Sequence, residues 1–235
     1  MRIGLLECDH VAEKFRHIGG DYRDMFPALL PNLEFELFDV CNGQFPESTQ
    51  ACDAYMCTGS KYSVYDDIDW IHRLKAFVRD IHQVQKPFVG VCFGHQMMGE
   101  ALGGKVGKAE VGWCVGVHSF TLLQQEAWMA PPENEYKLLM LCQDQVQELP
   151  PDSQVLARTA DCPVGMFTVG RTMLGIQAHP EFSKDYVSAV IQNRVGRIGE
   201  AKSNSGLESL SQPTHSATIG RWISNFLERM VARQE

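Results

Sequence analysis

The first half of the chain alternates between two hydrophobic patterns, and each pattern predicts one kind of element. Short apolar or alternating runs predict β-strands at residues 2–8, 33–40, 53–57 and 88–91. Apolar residues at helical spacing predict α-helices between or after these runs, at residues 22–30, 70–83 and 95–102. Strands that alternate with helices favour an α/β fold in three layers, with a mostly parallel central sheet and helices on both of its faces.

The second half is richer in strands, and its last helix has a clear apolar stripe. Strands are predicted at residues 113–123, 138–141, 154–157, 165–168 and 172–177, and a helix at residues 186–195. Residues 196–217 are rich in Gly, Ser, Asn and Lys, so we expect a loose segment there. The stripe at residues 218–233 predicts a C-terminal helix that packs on the core or forms a homodimer face. We therefore expect a single domain over residues 1–235, with its core at about residues 1–195.

Composition and charge narrow the classes of function. The chain has 235 residues and a net charge of −8, which argues against nucleic acid or an anionic membrane as a main partner. Its first apolar run is short and is followed at once by Glu7, so it is interpreted as a strand and not as a signal peptide. The eight cysteines include no C-x-x-C pair, so the sequence predicts reduced, cytoplasmic cysteines, no metal site and no cofactor.

Residues 88–97 place a cysteine at a sharp turn between a strand and a helix. Cys92 is flanked by Gly90 and Gly94, which is the pattern of a nucleophile elbow, where the side chain projects from the carboxyl end of a strand. Glycine on both sides lets the backbone bend and lets neighbouring segments come close. We expect the amide of Phe93 to point towards an oxyanion, and the start of the helix to favour the thiolate.

A histidine and a glutamate at the end of a later strand supply what a cysteine nucleophile needs. His179 and Glu181 are two residues apart, so in extended chain their side chains share a face and Glu181 can orient His179. Because the carboxyl ends of neighbouring strands meet at one crevice of an α/β sheet, Cys92 and His179 can meet there. The turn at residues 58–60 ends another strand, and we expect the amide of Gly59 to be a second oxyanion donor.

Three motifs resemble those of the class I glutamine amidotransferases and follow the order of that family along the chain. They are G-x-C-x-G-H-Q at residues 90–96, H-P-E at residues 179–181, and G-S-K-Y-S-V-Y-D at residues 59–66. The similarity covers roughly residues 50–190, and residues 9–10 and 20–26 also resemble the stand-alone, GMP-synthase-like members of that family. The resemblance implies a flavodoxin-like sheet and hydrolysis of the glutamine side-chain amide through a γ-glutamyl thioester. The ammonia released would go to an acceptor that the sequence does not identify, such as a synthase subunit in trans.

The same resemblance assigns roles to individual residues. Cys92 would be the nucleophile, His179 the base and then the acid, and Glu181 the residue that orients it. The amides of Gly59 and Phe93 would form the oxyanion hole.

The resemblance also implies which residues hold the substrate. Gln96 and Ser60 would help to hold glutamine, together with Gln143, Asp144 and Gln145. Relatives often have Ser-His-Gly-Asp-x-Val where this chain has Leu-Cys-Gln-Asp-Gln-Val at residues 141–146. This departure leaves the substrate open between glutamine and another γ-glutamyl compound.

Other classes of protein remain as alternatives. One is a γ-glutamyl peptide hydrolase, which shares the acyl half of the chemistry. Another is an α/β-hydrolase with a cysteine nucleophile, whose chain order requires Asp144 or Asp161 followed by His215. A catalytically silent regulatory module is the third, although such a module would be expected to lack Cys92 or His179.

Overall fold

The computed structural model describes residues 1–234, and most of its strands form one large sheet. In chain order the strands are β1 (Arg2–Leu6), β2 (Glu34–Phe38), β3 (Ala54–Cys57), β4 (Phe88–Val91), β5 (Lys105–Lys108), β6 (Cys114–Leu122), β7 (Glu135–Cys142), β8 (Asp144–Glu148), β9 (Ser153–Arg158), β10 (Met166–Val169) and β11 (Met173–Ile176). The 9-stranded sheet has the order β2-β1-β3-β4-β11-β10-β9-β6-β7, and β5 and β8 pair separately.

The strands that form the site lie in the parallel part of this sheet. Five strands are parallel to one another, in the order β2, β1, β3, β4 and β11. The carboxyl ends of β3, β4 and β11 therefore lie side by side. From β11 to β7 each strand is antiparallel to the next. The last strand to be made, β11, therefore separates the parallel part from the antiparallel part.

Helices cover both faces of the sheet. They are α1 (Glu13–Gly19), α2 (Tyr22–Leu29), α3 (Asp69–Gln83), α4 (Phe93–Ala101), α5 (Lys184–Asn193), α6 (Val195–Ile198), α7 (Glu200–Ser209) and α8 (Ser216–Val231). Apolar residues of α2, α5 and α8 pack on one face, and those of α3 and α4 pack on the other. Successive strand residues point to opposite faces, so Leu5 joins the first cluster and Leu6 the second. The predicted α/β class, with helices on both faces, is confirmed.

The segment predicted to be loose is largely helical. Residues 196–217 contain most of α6, all of α7 and the start of α8. The small residues of α7 allow it to lie close to β6, since a Cβ on Gly206 would be 2.7 Å from Val115 Cγ2. Ser209 Oγ accepts a hydrogen bond of 2.8 Å from Val117 N. The composition that suggested a loose segment therefore serves close packing between a helix and a strand.

Other differences are short elements and element ends. Helix α1 and strands β5 and β8 were not predicted from the sequence. The C-terminal helix was predicted at residues 218–233, whereas α8 spans Ser216–Val231. Strand β5, which follows α4 in the chain, buries Val106, and its partner β8 buries Val146. Within residues 1–234, no helix combines the length and the apolar character that a membrane crossing requires.

Candidate active site

Cys92 stands at the junction of β4 and α4 in a strained backbone conformation. Its φ of 52° and ψ of −100° lie outside the backbone regions that residues other than glycine normally adopt. The Cys92 N–H donates to Ile176 O at 2.8 Å, and the Cys92 carbonyl accepts from Gln96 N at 3.0 Å. The neighbouring strand and the first turn of α4 therefore hold this conformation from both sides.

The two flanking glycines are required by close backbone contacts. A Cβ on Gly90 would lie 2.3 Å from the Gly94 carbonyl carbon, and a Cβ on Gly94 would lie 2.4 Å from Cys57 O. The Gly94 N–H donates to Thr58 O at 3.2 Å, which ties the start of α4 to the turn after β3. No larger residue fits at either position without a backbone shift, so the elbow geometry depends on both glycines.

The structure places His179 and Glu181 beside Cys92. His179 follows β11, and its N–H donates to Leu139 O at 2.8 Å. Its Nδ1 is 2.7 Å from Glu181 Oε1, so Nε2 is the ring nitrogen left free, and His179 and Cys92 border the same cavity. The Glu181 side chain is fully buried, and its Oε2 has no hydrogen-bond partner among residues 1–234.

Charge on both sides of the His179 ring favours its protonated form. Burial lowers the pKa of His179, but the Glu181 carboxylate and Cys92, through charge and hydrogen bonds, raise it to about 10. The Phe182 ring is stacked on the imidazole, with the ring centroids 3.9 Å apart and an interplanar angle of 10°. A face-on aromatic ring favours the imidazolium over the neutral ring.

The backbone amides of Gly59 and Phe93 are next to this pair of side chains. Neither N–H donates a hydrogen bond to another residue in the described part of the chain. A Cβ on Gly59 would lie 3.0 Å from His179 Cε1 and 3.8 Å from Cys92 Cβ, so the backbone there borders both residues. Two unpaired donors beside a cysteine nucleophile are what an oxyanion requires.

Two cavities meet at Cys92. The first, the polar cavity, has a volume of about 150 Å³, and the second, the aromatic cavity, has a volume of about 160 Å³. His179 borders the aromatic cavity and does not border the polar one. Ser60, Lys61 and Arg194 are shared by both linings. Both linings contain charged and aromatic side chains, but the second has more aromatic rings and includes His179, so Cys92 is reached from two sides that differ in these residues.

Most of the predicted substrate residues line the polar cavity. They are Ser60, Gln96, Gln143 and Asp144. Gln96 Nε2 donates to Asp144 O at 2.7 Å, and Asp144 Oδ2 accepts from Ser63 Oγ at 2.5 Å. These contacts fix the region where α4 faces the start of β8.

Gln145, which was also predicted to bind substrate, does not line this cavity. Its side chain is buried on the other side of β8, and its Nε2 donates to Asp161 O at 2.9 Å. Side chains alternate along a strand, so Asp144 and Gln145 cannot face the same cavity. The family loop pattern indicated the segment that lines the cavity, but it included a residue on the other side of β8.

Sequence reasoning missed a direct neighbour of the cysteine sulfur. Gln177 is fully buried, and its Nε2 donates to Cys92 Sγ at 3.6 Å, while its Oε1 accepts from Gln96 Nε2 at 3.2 Å. The available signal in the sequence was spacing. Residue 177 is two positions before His179 and four before Glu181, and alternate residues of an extended chain point to the same side. The cationic residues at the cavities, Lys61, Lys108, Arg194 and Arg197, have no shared local motif and were also missed.

His95 follows the elbow and supports it by packing. Its ring is fully buried and meets the Phe167 ring edge-on, with the centroids 4.8 Å apart. Burial lowers the pKa of His95 to about 3, which the nearby backbone of Gly175 and Val164 offsets only in part. Neither ring nitrogen makes a hydrogen bond of ordinary geometry, so His95 supports the elbow by packing.

Charged side chains at the N-terminal edge of the site pair with one another. His10 Nδ1 is 3.0 Å from Asp21 Oδ2, and its Nε2 is 3.1 Å from Asp39 Oδ2. Cys41 Sγ lies 3.2 Å from Asp39 Oδ1, so His10, Asp39 and Cys41 bring potential metal ligands within 4.8 Å of one another. Their mutual hydrogen bonds satisfy these groups without an ion.

The family assignment follows from comparison with known proteins. The model of the family "Glutamine amidotransferase class-I" matches residues 45–195, a stretch that contains the elbow, the Gly59 and Phe93 amides and the His179–Glu181 pair. This chain belongs to the class I glutamine amidotransferases. Membership excludes the α/β-hydrolase alternative, whose histidine, His215, instead accepts a hydrogen bond of 2.9 Å from Lys137 N.

Other family members resemble the chain in different ways. Gamma-glutamyl peptidase 4 of Arabidopsis thaliana is 32% identical over 197 residues, which cover 79% of this chain and 77% of the peptidase. A glutamine-hydrolyzing GMP synthase of Ralstonia pickettii is 38% identical over 158 residues, which cover 63% of this chain and 28% of the synthase. A crystal structure of a glutamine amidotransferase from Thermotoga maritima has the same fold, with a TM-score of 0.76 over 98% of each chain at 18% identity.

Proposed function

We propose that the chain hydrolyses γ-glutamyl amide bonds through a thioester on Cys92. One observation carries this proposal: a cysteine with φ of 52° at a strand–helix elbow borders the same cavity as a histidine that a buried glutamate holds at 2.7 Å. A strained nucleophile, a base and a residue that orients the base are the parts that covalent acyl transfer requires. The unpaired amides of Gly59 and Phe93 supply donors for the oxyanion.

The chemistry balances with the residues present. Cys92 Sγ, as the thiolate of an ion pair with the His179 imidazolium, attacks the γ-carbonyl carbon, and the amides of Gly59 and Phe93 stabilise the oxyanion. His179 Nε2 gives its proton to the leaving nitrogen as the C–N bond breaks, which leaves a γ-glutamyl thioester on Cys92. Water then attacks the thioester while His179 takes one of its protons, and glutamate and the thiolate are released.

Two leaving groups are compatible with these steps. A γ-glutamyl peptide would release an amine, and two observations favour it: the aromatic cavity beside His179 and the similarity to a γ-glutamyl peptidase over 77% of the length of that relative. Free glutamine would release ammonia, which could pass to a synthase partner in trans. The similarity to a glutamine-hydrolyzing GMP synthase favours this second function.

Steady-state kinetics of the purified chain test the proposal. Glutamate release is measured from L-glutamine and from γ-glutamyl dipeptides, with the Cys92→Ala variant as the blank. We expect the wild-type chain to hydrolyse the dipeptides without a partner and to hydrolyse free glutamine more slowly. A glutamine-mimicking diazo ketone should label Cys92. No labelling and no hydrolysis of either substrate class would overturn the proposal, and fast hydrolysis of glutamine alone would favour the second function.

A further inference from the structure

The aromatic cavity lies on the side of Cys92 from which a leaving group departs. His179 must protonate the leaving nitrogen, and it borders this cavity and not the polar one. The polar cavity contains Gln96 and Asp144, whose amide and carboxylate suit the amino-acid end of a glutamyl group. The two cavities therefore divide a γ-glutamyl amide at its scissile bond. The inference below rests on the proposed function in this respect.

The walls of the aromatic cavity form one connected set of rings. Phe182 and Tyr186 have ring centroids 4.7 Å apart, Tyr22 and Phe182 are 6.1 Å apart, and Phe15 and Tyr186 are 6.3 Å apart. These rings come from helices α1, α2 and α5 and from the turn after His179. Phe182 also stacks on His179, so the ring set reaches the proton donor itself.

The size of this cavity exceeds what ammonia needs. Its volume is about 160 Å³. An apolar cavity of about 150 Å³ in another protein holds benzene. A single nitrogen atom would leave most of this space to water against aromatic walls, whereas a ring or a large aliphatic side chain would fill it.

An unpaired cation stands at the edge of the same cavity. Arg194 is half-buried at the end of α5, and it makes no ion pair within the described residues. Lys61, the other cation in this lining, is already paired with Asp9 at 2.8 Å. The Arg194 guanidinium borders the same cavity as Tyr186, and its charge partly offsets the rise in the pKa of Tyr186 that burial causes. In a chain with a net charge of −8, a free guanidinium beside aromatic walls indicates a carboxylate ligand.

We propose that the preferred leaving group is an amino acid with an aromatic or large apolar side chain and a free carboxylate. Its side chain occupies the space between Phe15, Tyr22 and Tyr186, and its carboxylate pairs with Arg194. The nitrogen between these two groups then lies beside His179. The substrate class is accordingly a γ-glutamyl amino acid with a large apolar side chain, or a peptide that begins with such a residue and ends close by.

Four amides that differ by one group at a time test this proposal. They are γ-glutamyl-phenylalanine, γ-glutamyl-phenethylamide, which lacks the carboxylate, γ-glutamyl-glycine, which lacks the ring, and L-glutamine, which lacks both. We expect kcat/KM to be highest for γ-glutamyl-phenylalanine, about ten-fold or more lower for each amide that lacks one group, and lowest for glutamine. Equal values for the four amides, or the highest value for glutamine, would overturn the inference while leaving the proposed function intact.

Variants of the wall residues assign the two contacts separately. Arg194→Met should lower kcat/KM for γ-glutamyl-phenylalanine about ten- to hundred-fold and should leave that for γ-glutamyl-phenethylamide unchanged. Arg221→Met, which removes the same charge from the exposed side of α8, serves as the matched control and should change neither value. Phe15→Ala should reduce the preference for phenylalanine over glycine in the leaving group. Equal losses on both phenyl substrates in Arg194→Met would show that Arg194 does not bind the carboxylate.

A general failure has a distinct signature. If none of the four amides is hydrolysed and the diazo ketone does not label Cys92, the proposed function fails, and this inference fails with it. Hydrolysis of all four amides by the wild-type chain with no dependence on Arg194 refutes only the inference.

Discussion

The floor of the site and the walls of its cavities are built in opposite ways. At the floor, Cys92, His179 and Glu181 are buried; backbone contacts at Gly90 and Gly94 fix the elbow around Cys92, and His179 is held by its N–H bond to Leu139 O and by Glu181. The walls include exposed or half-buried charged side chains that come from separate segments, such as Lys61, Lys108 and Arg197. A change in a wall residue therefore alters few other contacts, whereas a larger residue in place of Gly90 or Gly94 at the floor disturbs the neighbouring backbone. Recognition can vary in this fold while the reacting groups keep their geometry.

Removal of the Cys92 sulfur from the floor of the site should have the largest effect on activity. Cys92→Ala removes the nucleophile, so we expect turnover to fall by roughly four to six orders of magnitude, as with other nucleophile deletions. Circular dichroism should show an unchanged fold, because the side chain is small. Mass spectrometry after alkylation should find Cys92 modified first, and Cys41→Ala, which removes a half-exposed thiol, should leave labelling unchanged. Preferential modification of any other cysteine would refute the elbow interpretation.

Removal of the charge that orients the base should have the next largest effect. Glu181→Gln keeps a hydrogen-bonding group beside His179 but removes the carboxylate, so we expect a rate loss of up to about four orders of magnitude, smaller than the loss in His179→Ala. Assays of the three proteins under identical conditions measure the order. Wild-type activity in Glu181→Gln would show that the carboxylate is only structural.

The same pair predicts a pH dependence of stability. The folded state raises the pKa of His179 to about 10, and the unfolded value is about 6.5. Protonation of His179 therefore contributes fully to the free energy of unfolding below about pH 6.5, and this contribution is lost as the pH rises through about 10. Urea denaturation of wild type and Glu181→Gln should give a difference in free energy of unfolding that shrinks between pH 7 and pH 10. A difference that grows over this range would contradict the assignment.

A methyl group at the elbow should damage the fold more than the same group elsewhere. Gly94→Ala would place Cβ 2.4 Å from Cys57 O, so we expect a loss of about 1–3 kcal/mol in the free energy of unfolding. Gly196→Ala in α6 meets nothing within 4 Å and should be neutral or stabilising by up to about 1 kcal/mol. Urea denaturation of both variants gives the comparison, and equal stabilities would mean that the elbow can relax.

A wall residue should give the smallest effect. Gln143→Ala removes a side chain from the polar cavity, so we expect KM for a γ-glutamyl substrate to rise a few-fold with little change in kcat. Gln145→Ala breaks the hydrogen bond to Asp161 O outside that cavity and should lower the melting temperature without changing KM. The opposite pattern would support Gln145 as a substrate residue.

This contrast explains which features could be predicted from the sequence. The elbow is a local pattern, because Gly90, Cys92 and Gly94 are close in the chain and a backbone contact excludes a larger residue at each glycine. The triad roles of Cys92, His179 and Glu181 and the oxyanion roles of the Gly59 and Phe93 amides stay predictions until kinetics test them. Arg194 could not be assigned in the same way, since only the fold brings it to the cavity beside Cys92. Residues 196–217 were mispredicted because small residues occur both in loose segments and where a helix packs tightly on a strand.

The position of β11 has a consequence for the chain during its synthesis. This strand is the last to be made, yet it lies between β4 and β10 in the middle of the sheet. Until it leaves the ribosome, one edge of β4 has no parallel neighbour, and Cys92 has no histidine beside it. His179 therefore reaches the Cys92 thiol in the step that closes the sheet. A nascent or truncated chain without β11 has the thiol but not the histidine beside it.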